Sequence, residues 1–166
     1  MGTENHRKNA PVKLKIGIIT VSSTRTLEND KSGAWMKKSS EKEGHTVVFH
    51  AVIPDDASMI TKTVLAVMQN EKPHAILLTG GTGISSSDVT IEAVRPLFTK
   101  KLPGFGAVFA QLSYEQIDSA AILSRAAAGI SGKVSIFCIP GSLKACKLAC
   151  KALIFPEIGH IAGHIL

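Results

Sequence analysis

Five residues with little bulk, Thr79-Gly80-Gly81-Thr82-Gly83, are followed five positions on by Asp88-Val89-Thr90. Glycine reaches positive φ at little cost, so successive N–H groups of such a loop can turn into one concavity, and a helix start adds roughly half a positive charge aimed the same way. The chemistry that fits is anion binding, with a phosphorylated small molecule as the expected ligand. Asp88, and the adjacent Asp55 and Asp56 before the helix at Ile60, add carboxylates to this setting. Each stands where a helix N-cap is favoured, and capping alone would explain any of them. Two carboxylates beside a phosphate repel it unless a divalent cation or a hydroxyl-bearing group lies between them, so the pair points to Mg²⁺ and two phosphate-bearing substrates. Arg25 and Arg125, each next to Ser or Thr, carry the fork that grips phosphate, although a solvated arginine is the other reading.

Two better-known owners of a glycine loop are excluded by what is missing. A nucleotide P-loop requires Gly-Lys-Ser/Thr, and the one Gly-Lys pair, Gly132-Lys133, continues into Val134. A dinucleotide fingerprint begun at Gly81 would need its third glycine at Ser86, and it belongs after a first strand, not a third. His160 and His164 have the i, i+4 spacing of metal ligands, yet Ile161 stands where a zinc protease needs Glu, and no third ligand is evident. No serine occupies a Gly-x-Ser-x-Gly elbow. Cys146 and Cys150 lie on the apolar side of a helix whose other face carries Lys144, Lys147 and Lys151, which marks them as buried thiols more than as a metal pair.

Residues 13–21 (KLKIGIITV), 45–53 (HTVVFHAVI), the run Ala75-Ile76-Leu77-Leu78 and residues 133–139 (KVSIFCI) have the length and apolarity of strands. Helical spacing is expected over 30–43 with Gly44 as its stop, from Ile60 through Met68, from Val89 toward Arg95, over most of 107–127, from Leu143 to Leu153, and over 157–164. Strands separated by helices imply an α/β fold: a three-layer sandwich whose mostly parallel central sheet is flanked by helices. In such sheets ligands bind beyond the carboxyl ends of the strands. Segments 22–25, 54–56, 79–88 and 140–142 all follow strand ends, so the glycine loop, both carboxylates and Pro140-Gly141-Ser142 are expected on one rim.

The 166 residues suit one domain at 13–166 behind a polar tail at 1–12, and a chain of this size buries roughly 70% of its unfolded surface. At 45% hydrophobic and 19% charged it is not disordered, and no apolar run nears the ~18 residues of a membrane span. No secretory leader is expected in the polar first residues. Three clustered cysteines cannot frame a disulfide fold, so a reducing, cytoplasmic setting is expected. Half of the net +6 charge falls in the first fifteen residues and aromatics are only 5%, which leaves no basic groove with stacking platforms for nucleic acid.

In chain order, Thr79-Gly80-Gly81-Thr82-Gly83, Asp88-Val89-Thr90, Glu92-Ala93, Pro103-Gly104-Phe105, Ser124-Arg125 and Pro140-Gly141-Ser142 resemble the molybdopterin-binding proteins of the MogA/MoaB type, over nearly all of 13–165. Asp30-Lys31-Ser32-Gly33 after Ser23-Thr24-Arg25 resembles the MoaB branch in particular. The resemblance implies a homotrimer or homohexamer in molybdenum cofactor biosynthesis, and adenylyl transfer from Mg-ATP to molybdopterin with release of pyrophosphate. A non-catalytic molybdopterin carrier or scaffold is the alternative. The resemblance assigns Asp55 and Asp88 as catalytic carboxylates and Mg²⁺ ligands. It assigns Thr79, Gly80, Gly81, Thr82, Gly83, Ser124, Arg125, Pro140, Gly141 and Ser142 to substrate binding. The chain departs from many relatives at Ser86-Ser87, where a basic residue often precedes Asp-Val-Thr, and at Thr24, where the MogA branch has Asp.

Overall fold

The computed structural model describes residues 13–166; the expected tail at 1–12 lies outside them. Strands β1 (Lys15–Val21), β3 (Ala75–Thr79) and β6 (Val134–Ile139) are buried along nearly their whole length, so neither of their faces is left to water. They form the middle of a six-stranded sheet completed by β2 (Thr46–Ile53) at one edge and by β5 (Ala127–Ser131) and β4 (Lys100–Lys101) at the other, in the order β2-β1-β3-β6-β5-β4. β2, β1, β3 and β6 are parallel, while β5 and β4 pair antiparallel.

Successive residues of a strand point to opposite faces, and this divides the core in two. Ile18, Leu77 and Phe137 face α1 (Lys31–Lys42), α4 (Pro103–Ile117), α5 (Leu143–Ala149) and α6 (Phe155–Ile165), which contribute Met36, Phe109, Cys146 and Ile158. Ile19, Leu78 and Ile136 face α2 (Ala57–Asn70) and α3 (Thr90–Val94), which contribute Ile60, Val64, Ile91 and Val94. The result is the expected three-layer α/β sandwich. Each such buried side chain stabilises the fold by roughly 1.5–3 kcal/mol of transfer free energy. Among the described residues no helix is long and apolar enough to cross a membrane.

Three of the helices, α1, α2 and α5, begin at polar caps that follow strand ends at the carboxyl edge of the sheet. Buried Asp30 accepts the N–H of Gly33 at 3.0 Å and the hydroxyl of Thr20 at 2.6 Å, Asp56 accepts the N–H of Met59 at 2.7 Å, and Ser142 accepts that of Ala145 at 3.1 Å. Gly44, at φ 90°, follows the end of α1 as expected.

Three elements differ from the sequence expectation. The helix expected over most of 107–127 starts at Pro103, ends at Ile117 and passes through a 3₁₀ turn, Asp118–Leu123, into a strand. That strand, β5, is short of β-branched residues, and its Gly129 is required by packing: a Cβ there would lie 2.3 Å from the Phe98 ring. Gly132, at φ 59°, turns β5 back onto β6. The helix after Asp88 covers only Thr90–Val94 before a 3₁₀ turn at Arg95–Leu97, since Pro96 cannot continue the hydrogen-bond ladder. The last two expected helices are joined by a π-helical stretch, Cys150–Ile154, which keeps Cys150 and Ile154 buried.

Candidate functional site

The rim is assembled by hydrogen bonds between strand ends. Thr79, the last residue of β3, is buried; its hydroxyl donates to the Pro140 carbonyl at 3.0 Å and meets Cys146 Sγ at 3.0 Å. Gly80 donates its N–H to Ile139 O at 3.0 Å. Gly80 and Gly81 then adopt φ 96° and φ 62°, and the loop carbonyls are turned onto the start of α3: Thr90 Oγ1 donates to Gly80 O at 2.8 Å and Thr90 N to Gly81 O at 2.9 Å. With these acceptors engaged, the N–H groups of Gly81 and Thr82 have no acceptor among the described residues, which is the state an anion cradle requires.

The cradle opens into a cavity of about 450 Å³ lined by Asp55, Gly80, Gly81, Thr82, Gly83, Asp88, Ser124, Pro140 and Gly141, with Val21, Ser22, Thr24, Arg25, Ser87 and Leu123 completing the wall. Nine of the twelve expected site residues therefore converge. Thr79, Ser142 and Arg125 do not reach the lining. Thr79 braces the turn beneath it, and Ser142 caps α5.

Capping does not account for Asp55 or Asp88. Asp56 alone caps α2, while Asp55 accepts both the N–H and the hydroxyl of Ser23. Asp88 stands one residue ahead of Val89, the N-cap of α3, which makes no side-chain cap bond; Asp88 Oδ2 instead accepts Ser85 N–H at 2.9 Å and Ser85 Oγ–H at 2.6 Å. The Ser85 hydroxyl, together with the N–H groups of Ser85 and Gly83 and nearby Arg125, holds the Asp88 carboxyl below the usual carboxylate range, against the opposing pull of burial. A lowered folded-state pKa stabilises the loop above the unfolded value and loses that stabilisation as pH falls through the folded value. The extra stabilisation from the ionised carboxylate is therefore expected to be complete at neutral pH and to weaken only in acid. An NMR titration of the Ser85 amide should show its midpoint below ~3.9, the ordinary Asp value. A midpoint at or above that value would contradict the latch.

The two arginines separate. Arg125 sends Nε to Thr82 O at 2.9 Å and both terminal nitrogens to Glu92, at 2.7 and 3.1 Å, so its fork is occupied by protein. In this arrangement it braces the glycine loop. The same guanidinium holds the Glu92 carboxyl below its ordinary pKa. Arg25 lines the cavity and spends only Nη1, on Gly141 O at 3.1 Å, where Ser32 Oγ also donates at 2.9 Å. It is the cation of the cavity wall.

Glu92 and the serines at 23, 32 and 85 were not legible as site residues: Glu92 was visible only as part of a motif, and a serine announces no partner until the fold supplies one. His160 and His164 do not line the cavity. Their Nε2 atoms lie 3.0 Å apart and His160 Nδ1 is 3.0 Å from Glu157, and the described residues hold no cluster of three or more metal-ligating side chains. Cys138, Cys146 and Cys150 are buried, and burial pushes the Cys138 thiol up to about 12.

These features define a three-layer α/β protein with a small-molecule cleft at the carboxyl edge of its sheet. Residues 17–160 match the family of the probable molybdopterin binding domain. The chain is 46% identical over 166 residues to the molybdenum cofactor biosynthesis protein B of Bacillus subtilis (strain 168), covering 99% of this chain and 98% of that protein. It is 39% identical over 147 residues to the Escherichia coli K12 protein of the same name, covering 89% and 86%. Among solved structures, a molybdenum cofactor biosynthesis protein B matches with a TM-score of 0.91 at 43% identity, covering 95% of this chain and 98% of that one. The tungsten cofactor synthesizing protein MoaB from Pyrococcus furiosus matches with 0.82 at 37%, covering 94% and 99%. The chain belongs to the molybdopterin-binding family of the MogA/MoaB type and is most like its MoaB branch.

Proposed function

We propose that this protein acts in molybdenum cofactor biosynthesis, binding molybdopterin and Mg-ATP and transferring the adenylyl group to the pterin. The observation that carries the proposal is the placement of two carboxylates and one arginine around a single glycine cradle. Hard oxygen donors suit Mg²⁺, which is commonly held by one or two carboxylates with the remaining positions filled by substrate phosphates and water. Asp55 and Asp88 line the cavity and fit that role. Mg²⁺ so bound would neutralise charge on the reacting phosphates.

In the proposed reaction, an oxygen of the pterin's terminal phosphate attacks the α-phosphorus of ATP, the bond to the β-phosphate oxygen breaks, and pyrophosphate leaves with that electron pair. No proton transfer to a side chain is required. The protein's work is positioning and charge stabilisation: Gly81 and Thr82 N–H groups and Arg25 toward phosphate oxygens, and Pro140 and Gly141 as the opposing wall. Cytoplasmic location and assembly as a homotrimer or homohexamer belong to the same proposal. The buried free thiols support the first, and exposed apolar side chains such as Tyr114 and Ile122 support the second.

The test is pyrophosphate release by the purified protein. Release only when molybdopterin and Mg-ATP are both present is expected. Molybdopterin binding without ATP consumption would overturn catalysis in favour of a carrier.

A further inference from the structure

Asp55 is held from outside its own loop. Its Oδ2 accepts the N–H and the hydroxyl of Ser23, each at 2.8 Å, and its own N–H donates back to Ser23 Oγ at 3.1 Å. Three hydrogen bonds thus tie the loop after β1 to the loop after β2. The arrangement recurs at Asp88, where one carboxylate oxygen again takes both the N–H and the hydroxyl of a single serine, Ser85. Oδ1 of Asp55 takes none of the Ser23 bonds and lies on the Gly81 side, 3.1 Å from where a Cβ on that glycine would stand. Ser23 itself is exposed and does not line the cavity, so its hydroxyl serves neither the core nor direct ligand contact.

We infer that Ser23 is a positioning residue, fixing one oxygen of Asp55 so that the other is presented to the cation accompanying the nucleotide. Carboxylates that hold a metal are oriented by just such hydrogen bonds, because an unanchored carboxylate rotates about its last torsion and loses directional donation. The inference rests on the Mg-ATP reading of the cavity.

Calorimetry of ATP binding to the full chain in Mg²⁺ and in EDTA tests it. The wild type is expected to bind ATP more tightly in Mg²⁺. Ser23→Ala keeps the main-chain bond but loses both hydroxyl bonds, and should reduce that Mg²⁺-dependent gain roughly tenfold, the scale of one hydrogen bond to a charged group, with the EDTA affinity unchanged. Ser23→Thr should restore the gain, and Ser23→Ala made on Asp55→Asn should cost nothing further. Equal weakening in both media, which marks a purely structural role, overturns the inference, as does an unaltered gain. A wild type that does not bind ATP at all overturns the adenylyl-transfer reading and this inference with it, whereas ATP binding with an unaltered gain in Ser23→Ala removes only the inference.

Discussion

Asp88→Asn is expected to lower pyrophosphate release at least ~10²-fold, the scale on which a single preorganised electrostatic contact at a reacting centre acts. The substitution is nearly isosteric. The Asn carbonyl oxygen can still accept Ser85 N–H and Ser85 Oγ–H, so the loop between Gly83 and Asp88 keeps its latch. What disappears is the negative charge, and with it the Mg²⁺ ligand proposed beside the cradle. Circular dichroism and urea unfolding should therefore show a folded protein of near wild-type stability, while release assayed with both substrates falls. Activity close to that of the wild type would remove Asp88 from the proposed chemistry. The contrast with capping is sharp: a cap contributes to stability, typically ~1 kcal/mol, whereas this variant should lose turnover with little stability lost.

Gly80→Ala should cost about 3 kcal/mol in urea unfolding with an unchanged m-value, combining positive-φ strain with overpacking against a rigid neighbour. The added Cβ would stand 2.2 Å from the Val21 carbonyl oxygen, with Gly80 at φ 96°. Both obstacles are main chain, so no rotamer change relieves them. The loop would have to withdraw from the end of β1, breaking the Thr90 hydroxyl bond to Gly80 O that helps aim the cradle. Gly44→Ala supplies the control. Gly44 has φ 90° but nothing within 4 Å of an added Cβ, so it should lose only the conformational strain, ~1 kcal/mol. Equal losses in the two variants would show that close approach at Gly80 contributes nothing.

The sequence was most legible where one local rule decided the outcome. Runs such as Ala75-Ile76-Leu77-Leu78 have the length and apolarity of a strand buried on both faces, and Pro54, Gly44 and Pro140 mark element ends by backbone geometry that does not depend on surroundings. Legibility failed where a long-range partner decided. Residues 127–131 pair as a strand because β6 offers them an edge and Phe98 needs the space over Gly129. Nothing in Ala127-Ala128-Gly129-Ile130-Ser131 states either fact.

The same division runs through the site. The residues alone pointed to a glycine loop after the third strand and to four loops ending on one rim, because strand polarity and glycine's freedom follow from residue type and order; the choice of Asp55 over Asp56 came from the family resemblance. Only the tertiary structure decided which arginine faces the cavity and what each carboxylate does. Arg25 and Arg125 are equivalent as sequence, and they part because Glu92 and the Thr82 carbonyl engage one fork while the other spends a single nitrogen on Gly141. Asp55 and Asp56 are adjacent and chemically identical. One caps its own helix through Met59, three residues on, and the other is held by Ser23, whose donors come within reach only once the sheet has brought the loops after β1 and β2 together.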